Sequence, residues 1–192
     1  MPFSLESLNR IAEAYRKIRN TLRFPLSNLY DFDPARHAVA AADLLPVDAY
    51  FLRRGRDLAR RVEKAYRDYE FHAVYHALNN FCNVDLSAVY LDFLKDRLYC
   101  SHPGDAGRRS AQTVLWRLAH MLTTAIAPVL AFTADEVWEH LPGTALPSVH
   151  LAELDLLADA GEATAADAAL GRPLALREEI YRELEVHRQA GE

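Results

Sequence analysis

Apolar residues return every seven positions from Leu8 through Tyr15, Leu22 and Leu29, with Ile11 and Ile18 in a parallel row, predicting one long amphipathic helix that begins near Leu5. Its opposite side carries Arg16, Arg19 and Arg23, so three guanidinium groups point the same way within two turns. Pro25 falls in the Ile11 and Ile18 row and predicts a kink or an end near Phe24, because proline lacks the backbone donor and clashes one turn back. Tyr30-Asp31-Phe32-Asp33-Pro34 reads as a turn, followed by a loop to about Leu45.

Pro46 suits the first turn of a second helix, in which Phe51, Leu52, Leu58, Val62, Ala65, Tyr66 and Tyr69 alternate with Arg53, Arg54, Arg56, Arg60 and Arg61. Phe71, Val74, Tyr75, Leu78 and Phe81 predict a third helix, and Asp85 a cap for a fourth built on Leu86, Val89, Tyr90, Phe93 and Leu94. A fifth runs from about Gly107 to Ala127 and closes at Pro128. Thr133-Ala134-Asp135-Glu136 has the form of a capping box opening a short helix through Trp138, which Leu141-Pro142-Gly143 ends. Residues 143–165 are irregular and acidic with a short extended piece at Val149-His150-Leu151, and a last helix is expected from Pro173 to about Gln189. No alternating strand pattern of useful length and no internal repeat occurs, so the expected fold is an all-α multi-helix bundle over residues 1–142, followed by an acidic linker and C-terminal helix over 143–192.

Composition adds a polarity. The formal net charge is −5, yet residues 1–130 hold 18 Lys and Arg against 14 Asp and Glu, while residues 131–192 hold 4 against 13. One end can face phosphate and the other cannot. Two cysteines, Cys82 and Cys100, are too few for a Cys₄ site or a disulfide framework and fit a reduced, cytoplasmic protein. No apolar run approaches the roughly 20 residues of a membrane span.

The search for chemistry yields little. His72 and His76 are the one histidine pair at i, i+4 spacing and lack the carboxylate of a His-Glu-x-x-His site, so no metal is expected. No phosphate-binding glycine loop, no Gly-x-Ser-x-Gly and no cysteine beside a base is present, and Cys82 lies on an apolar face. No catalytic residue is assigned. Tyr15, Tyr66, Tyr69, Tyr75 and Tyr90 sit on apolar rows and are expected in the core. The arginine faces remain, and guanidinium forks are what a helix needs to hold phosphate.

As strings, Tyr15-Arg16-Lys17-Ile18-Arg19-Asn20-Thr21-Leu22-Arg23-Phe24, Asn28-Leu29-Tyr30-Asp31-Phe32-Asp33-Pro34, Asn79-Asn80-Phe81-Cys82-Asn83-Val84-Asp85-Leu86, Tyr90-Leu91-Asp92-Phe93-Leu94-Lys95-Asp96-Arg97 and Thr133-Ala134-Asp135-Glu136-Val137-Trp138-Glu139-His140 resemble the anticodon-binding domain of bacterial isoleucyl-tRNA synthetases. The resemblance covers essentially the whole chain. Valyl, leucyl and methionyl relatives share the bundle, but the Ile-Arg-Asn-Thr and Tyr-Asp-Phe-Asp-Pro segments resemble the isoleucyl branch more closely.

The resemblance implies that the chain grips the anticodon stem and loop of an isoleucine-accepting tRNA. Arg16, Arg19 and Arg23 would contact phosphates first, then Arg53, Lys95, Arg97, Arg108 and Arg109, with Asn20 and Trp116 as candidates for base contacts. It also implies that ATP-dependent charging, editing and zinc binding belong to other parts of a parent enzyme, whose His-x-Gly-His and Lys-Met-Ser-Lys-Ser signatures are not in this sequence; the chain looks truncated at both sides. ATP and zinc are then parent cofactors, with none expected here, and a monomer joined to the parent's remaining domains is expected. The departures are Pro25, where the family usually has Leu, and Ala131-Phe132, where Pro and His are common. The readings left open are a helical protein-interaction module and the equivalent domain of a valyl or leucyl enzyme.

Overall fold

A computed structural model describes residues 4–190, the side chains of residues 7, 178, 185, 186, 189 and 190 excepted. The chain is all-α, with α1 (Leu5–Asn28), α2 (Pro34–His37), α3 (Pro46–Arg67), α4 (Phe71–Asn80), a π-helical segment (Phe81–Tyr90), α5 (Leu91–Cys100), α6 (Ala106–Ile126), α7 (Ala131–His140) and α8 (Ala165–Ala190). Single 3₁₀ turns occur at Ala41–Asp43 and Val149–Leu151, and no strand is present among the described residues. Two compact units result, residues 1–161 and 162–192.

In the first unit α6 is the central post, packed against α1, α3, α5 and α7. Burial reaches most of the way round it: Val114, Leu115, Leu118, Met121, Leu122 and Ile126 are buried on its apolar face, and Gln112, Thr113 and Thr123 are buried on the polar side, as expected of a helix enclosed by others. Asp105 caps its N-terminus by accepting from the Arg108 N–H at 2.9 Å. Gly55 of α3 permits close approach to α6, since a Cβ there would stand 2.3 Å from Leu118 Cδ2 and 3.1 Å from Leu157 Cδ1.

Several sequence expectations change for identifiable reasons. Pro25 does not end α1, which runs three residues further with the proline buried inside it. Asp85 caps nothing: α4, the π segment and α5 form one uninterrupted helical run, and Asp85 instead accepts from Arg54 of α3, at 3.0 Å from Nε. α7 begins at Ala131, two residues before the expected capping box, because Thr133 and Glu136 are used across the fold. The Thr133 hydroxyl lies 3.1 Å from the Tyr15 hydroxyl, and Glu136 pairs with Arg19. Val149–Leu151 is a 3₁₀ turn rather than an extended piece, closed by Ser148, whose hydroxyl accepts from the His150 N–H. Of the five tyrosines expected in the core, Tyr90 is wholly buried and Tyr66 half-buried, while Tyr15, Tyr75 and Tyr69 are exposed.

The bundle boundary expected at 142 falls instead at Gly161. Residues 143–161 form a strap fastened to α6 and α7. The Leu146 carbonyl accepts from Trp138 Nε1 at 2.8 Å, Asp135 accepts from the Ser148 hydroxyl at 2.7 Å, and Asp155 lies 3.0 Å from His120 Nδ1. Arg117 pairs with Asp159, Leu157 is wholly buried, and Arg56 donates to the Gly161 carbonyl.

In the second unit, α8 begins at Ala165, eight residues ahead of the start expected from Pro173, with Asp167 accepting from the Thr164 N–H at 2.8 Å. Leu176, Ile180 and Leu184 lie exposed at successive turns.

Candidate nucleic-acid interface

The exposed face of α1 is set by what its other face buries. Ala14, Ile18, Leu22 and Leu29 fill the core, which leaves Arg16, Asn20 and Arg23 pointing outward, and all three are exposed. Among the described residues, Arg16 and Arg23 form no ion pair. Arg19 leans toward α7, where Nη2 lies 3.3 Å from Glu136 Oε1. Between the two helices is an open cleft of about 350 Å³ lined by Arg19, Arg23, Leu26, Thr133, Glu136, Val137 and His140. The structure thus brings Arg16, Arg19, Asn20 and Arg23 together on one surface, as the spacing predicts.

It removes three other candidates. Arg97 clamps the wholly buried Asp48 with both terminal nitrogens, each at 2.8 Å, and the same carboxylate accepts from the Tyr90 hydroxyl at 2.9 Å and the Ser110 hydroxyl at 2.6 Å. Arg108 is buried, donating to the Leu98 carbonyl and, at 3.1 Å, to Asp31. Arg109 donates to the Asp31 carbonyl at 3.0 Å and to Gln112 at 2.8 Å. Burial by itself would raise the Asp31 carboxyl, but hydrogen bonds from Gln112 and Arg108 overcome it and hold the group below its ordinary value. These guanidiniums stabilise carboxylates inside the fold and are not available to phosphate.

Of the remaining candidates, Trp116 is also structural: its Nε1 donates to the Pro142 carbonyl at 2.9 Å and its ring leans on Phe32. Lys95 is exposed and pairs with Asp92 on its own helix at 2.9 Å. Arg53 is half-buried on α3. Cys82 is buried and its thiol is pushed up to about 12 by that burial, so it is packed rather than reactive. No three His, Cys, Asp or Glu side chains converge as metal ligands among the described residues. No helix there is long and apolar enough to cross a membrane.

Residues 48–191 match the family model described as the anticodon-binding domain of tRNA ligase. The chain belongs to that family. Its similarity to curated proteins is consistent: 48% identity over 185 residues, or 96% of this chain, to an isoleucine–tRNA ligase of Syntrophotalea carbinolica. It is 55% identical over 142 residues, 74% of this chain, to that of Symbiobacterium thermophilum, and 45% identical over 181 residues, 94% of this chain, to that of Bacillus cereus. The chain spans 20%, 15% and 20% of those relatives' own lengths, respectively. The anticodon-binding domain so placed includes α3 to α7, and α1 with its arginines packs directly on α6 and α7 of that domain.

Sequence reasoning missed Glu136 and His140 as parts of this surface. In sequence Glu136 reads as a capping residue, and His140 stands one helical turn further along the same face of α7. The i, i+4 spacing was a usable signal, but nothing local tells that α7 lies beside the arginine helix.

Proposed function

We propose that this chain is the part of an isoleucine–tRNA ligase that holds the anticodon stem and loop of an isoleucine-accepting tRNA. Support for the isoleucine branch comes from relatives named isoleucine–tRNA ligase at 45–55% identity. The observation that carries RNA binding is the face of α1, where Arg16, Arg19 and Arg23 stand exposed within two turns, while Arg97 and Arg108 are committed to the carboxylates of Asp48 and Asp31. Planar guanidinium forks suit phosphate oxygens, and Asn20 between them adds a donor and an acceptor for a base or ribose. In this reading the parent supplies ATP-dependent charging and zinc sites from its other domains and works as a cytoplasmic monomer.

The test is a salt titration of binding between the 192-residue chain and an anticodon stem-loop, measured by fluorescence anisotropy. Each phosphate contact contributes roughly 0.7 to 0.9 to the magnitude of the log–log slope, so Arg16→Ala and Arg23→Ala should each lower it by about that amount. Binding without salt dependence, or slopes unchanged in both variants, refutes the reading; equal affinity for loops of isoleucine and valine tRNAs refutes the isoleucine assignment alone.

A further inference from the structure

The stripe that buries α1 in the core continues past the end of the core. Leu22 and Ile18 are 0% and 5% exposed, but further toward the N-terminus on the same row Tyr15, Ile11 and Leu8 are exposed, Ile11 to 61%. Beside these turns stand Phe71 and Tyr75 of α4 and Val129 of the α6–α7 turn, all exposed as well. With Ile11, Tyr15 and the buried Ile18 they line a groove of about 170 Å³. Among the described residues no charged side chain lines it, and the Tyr15 hydroxyl is engaged by Thr133 at 3.1 Å. Such a surface suits neither phosphate nor a polar metabolite. Contiguous apolar area left open in this way marks a docking site. Two of its walls are helices, whose backbone donors and acceptors are spent within α1 and α4, so an extended strand laid in the groove would find no partners for its own. A helix brings its backbone bonds with it, and its apolar residues one and two turns apart can fill the groove and its rim.

We infer that an amphipathic helix from another part of the parent ligase seats on this groove, with one bulky apolar side chain inserted between α1 and α4. The inference rests on the chain being part of a longer ligase and not on the RNA-binding reading. The chain spans 20% of its relatives from Syntrophotalea carbinolica and Bacillus cereus, so a ligase built alike holds most of its length outside it. A helix tethered in the same molecule meets the groove at a high effective concentration, which a shallow apolar seat needs if it is to stay filled. A second copy of this chain is a poorer occupant, because a concave groove set against its own twin across a two-fold axis fills neither.

The experiment replaces Val129 with the photo-cross-linking amino acid p-benzoylphenylalanine, in the 192-residue chain and in the full-length ligase that contains it, and maps the products by peptide mass spectrometry. In the full-length protein the cross-link is expected within one molecule, to a peptide outside residues 1–192. Val129→Glu is then melted in both proteins. In the 192-residue chain, where Val129 is already exposed, it should move the transition by less than about 1 °C. In the full-length protein, where it would place a charge in the seat, the first transition should fall by about 3 °C or more. A cross-link to a second ligase molecule, a cross-link that lands within residues 1–192, no cross-link at all, or the same thermal shift in both proteins overturns the inference. All of these leave the salt-slope test of RNA binding untouched, so the two readings can fail separately.

Discussion

Asp48 is the clearest case of a side chain whose role depends on partners far away in sequence. Its carboxylate is wholly buried and accepts from Tyr90, Arg97 and Ser110, which joins α3 to the π segment, α5 and α6. Removing a carboxylate from such a site leaves Arg97 half-buried without its counter-charge, and the expected cost of Asp48→Ala is about 3–5 kcal/mol in urea denaturation. A loss below about 1 kcal/mol would show that the anchor is not a support. The same dependence explains why Arg97 and Arg108 look like surface cations in sequence and are internal in the fold. Arg97 meets its carboxylate 49 residues away and Arg108 meets Asp31 77 residues away, so nothing local in the sequence separates them from Arg16 and Arg23. The primary face was legible because its logic is helical: Arg16, Arg19 and Arg23 lie opposite the apolar row of the same helix.

Among the elements, those with a strong apolar period are readable to within a residue or two, notably α3, α4 and α6, because burial against neighbouring helices rewards the same stripe that the sequence displays. What could not be read was how capping residues are spent. Thr133, Glu136 and Asp85 all have side chains that cap helices in isolation, and each is engaged by another helix instead. The strap at residues 143–161 reads as a linker in sequence because its composition is acidic and irregular, whereas in the fold its acids are fasteners. Burial would raise Asp155, but bonds from His120 and the Leu157 N–H outweigh it, and the Arg117 hydrogen bond lowers Asp159. Carboxyls held below their unfolded value stabilise the fold above that value and cease to do so as pH falls through their folded one. Stability of the chain should therefore drop as pH is taken below about 4. Asp155→Asn should be less stable at neutral pH and lose less on acidification, which thermal melts at pH 7 and pH 3 can check; equal acid sensitivity in both proteins would remove the strap from this account.

For the whole molecule, the division at Gly161 predicts independence. A chain shortened to residues 1–161 retains the core centred on α6 and every arginine of the α1 face, so it should melt within about 2 °C of the full chain's main transition and bind RNA with the same salt slope. A broad, non-cooperative melt would show that the second unit is needed to complete the first. The internal ion pairs have a different consequence when the folded chain is set against the unfolded one. An unfolded chain shows a polyanion all of its guanidinium groups. Folding masks Arg56, Arg97 and Arg108 with carbonyls and with the carboxylates of Asp57, Asp48 and Asp31, and it leaves Arg16 and Arg23 uncovered on α1. The acids that pair with these three arginines are therefore part of the chain's selectivity: they silence cations that would otherwise hold any polyanion in any pose, and they leave the arginines of the α1 face to act from one fixed direction.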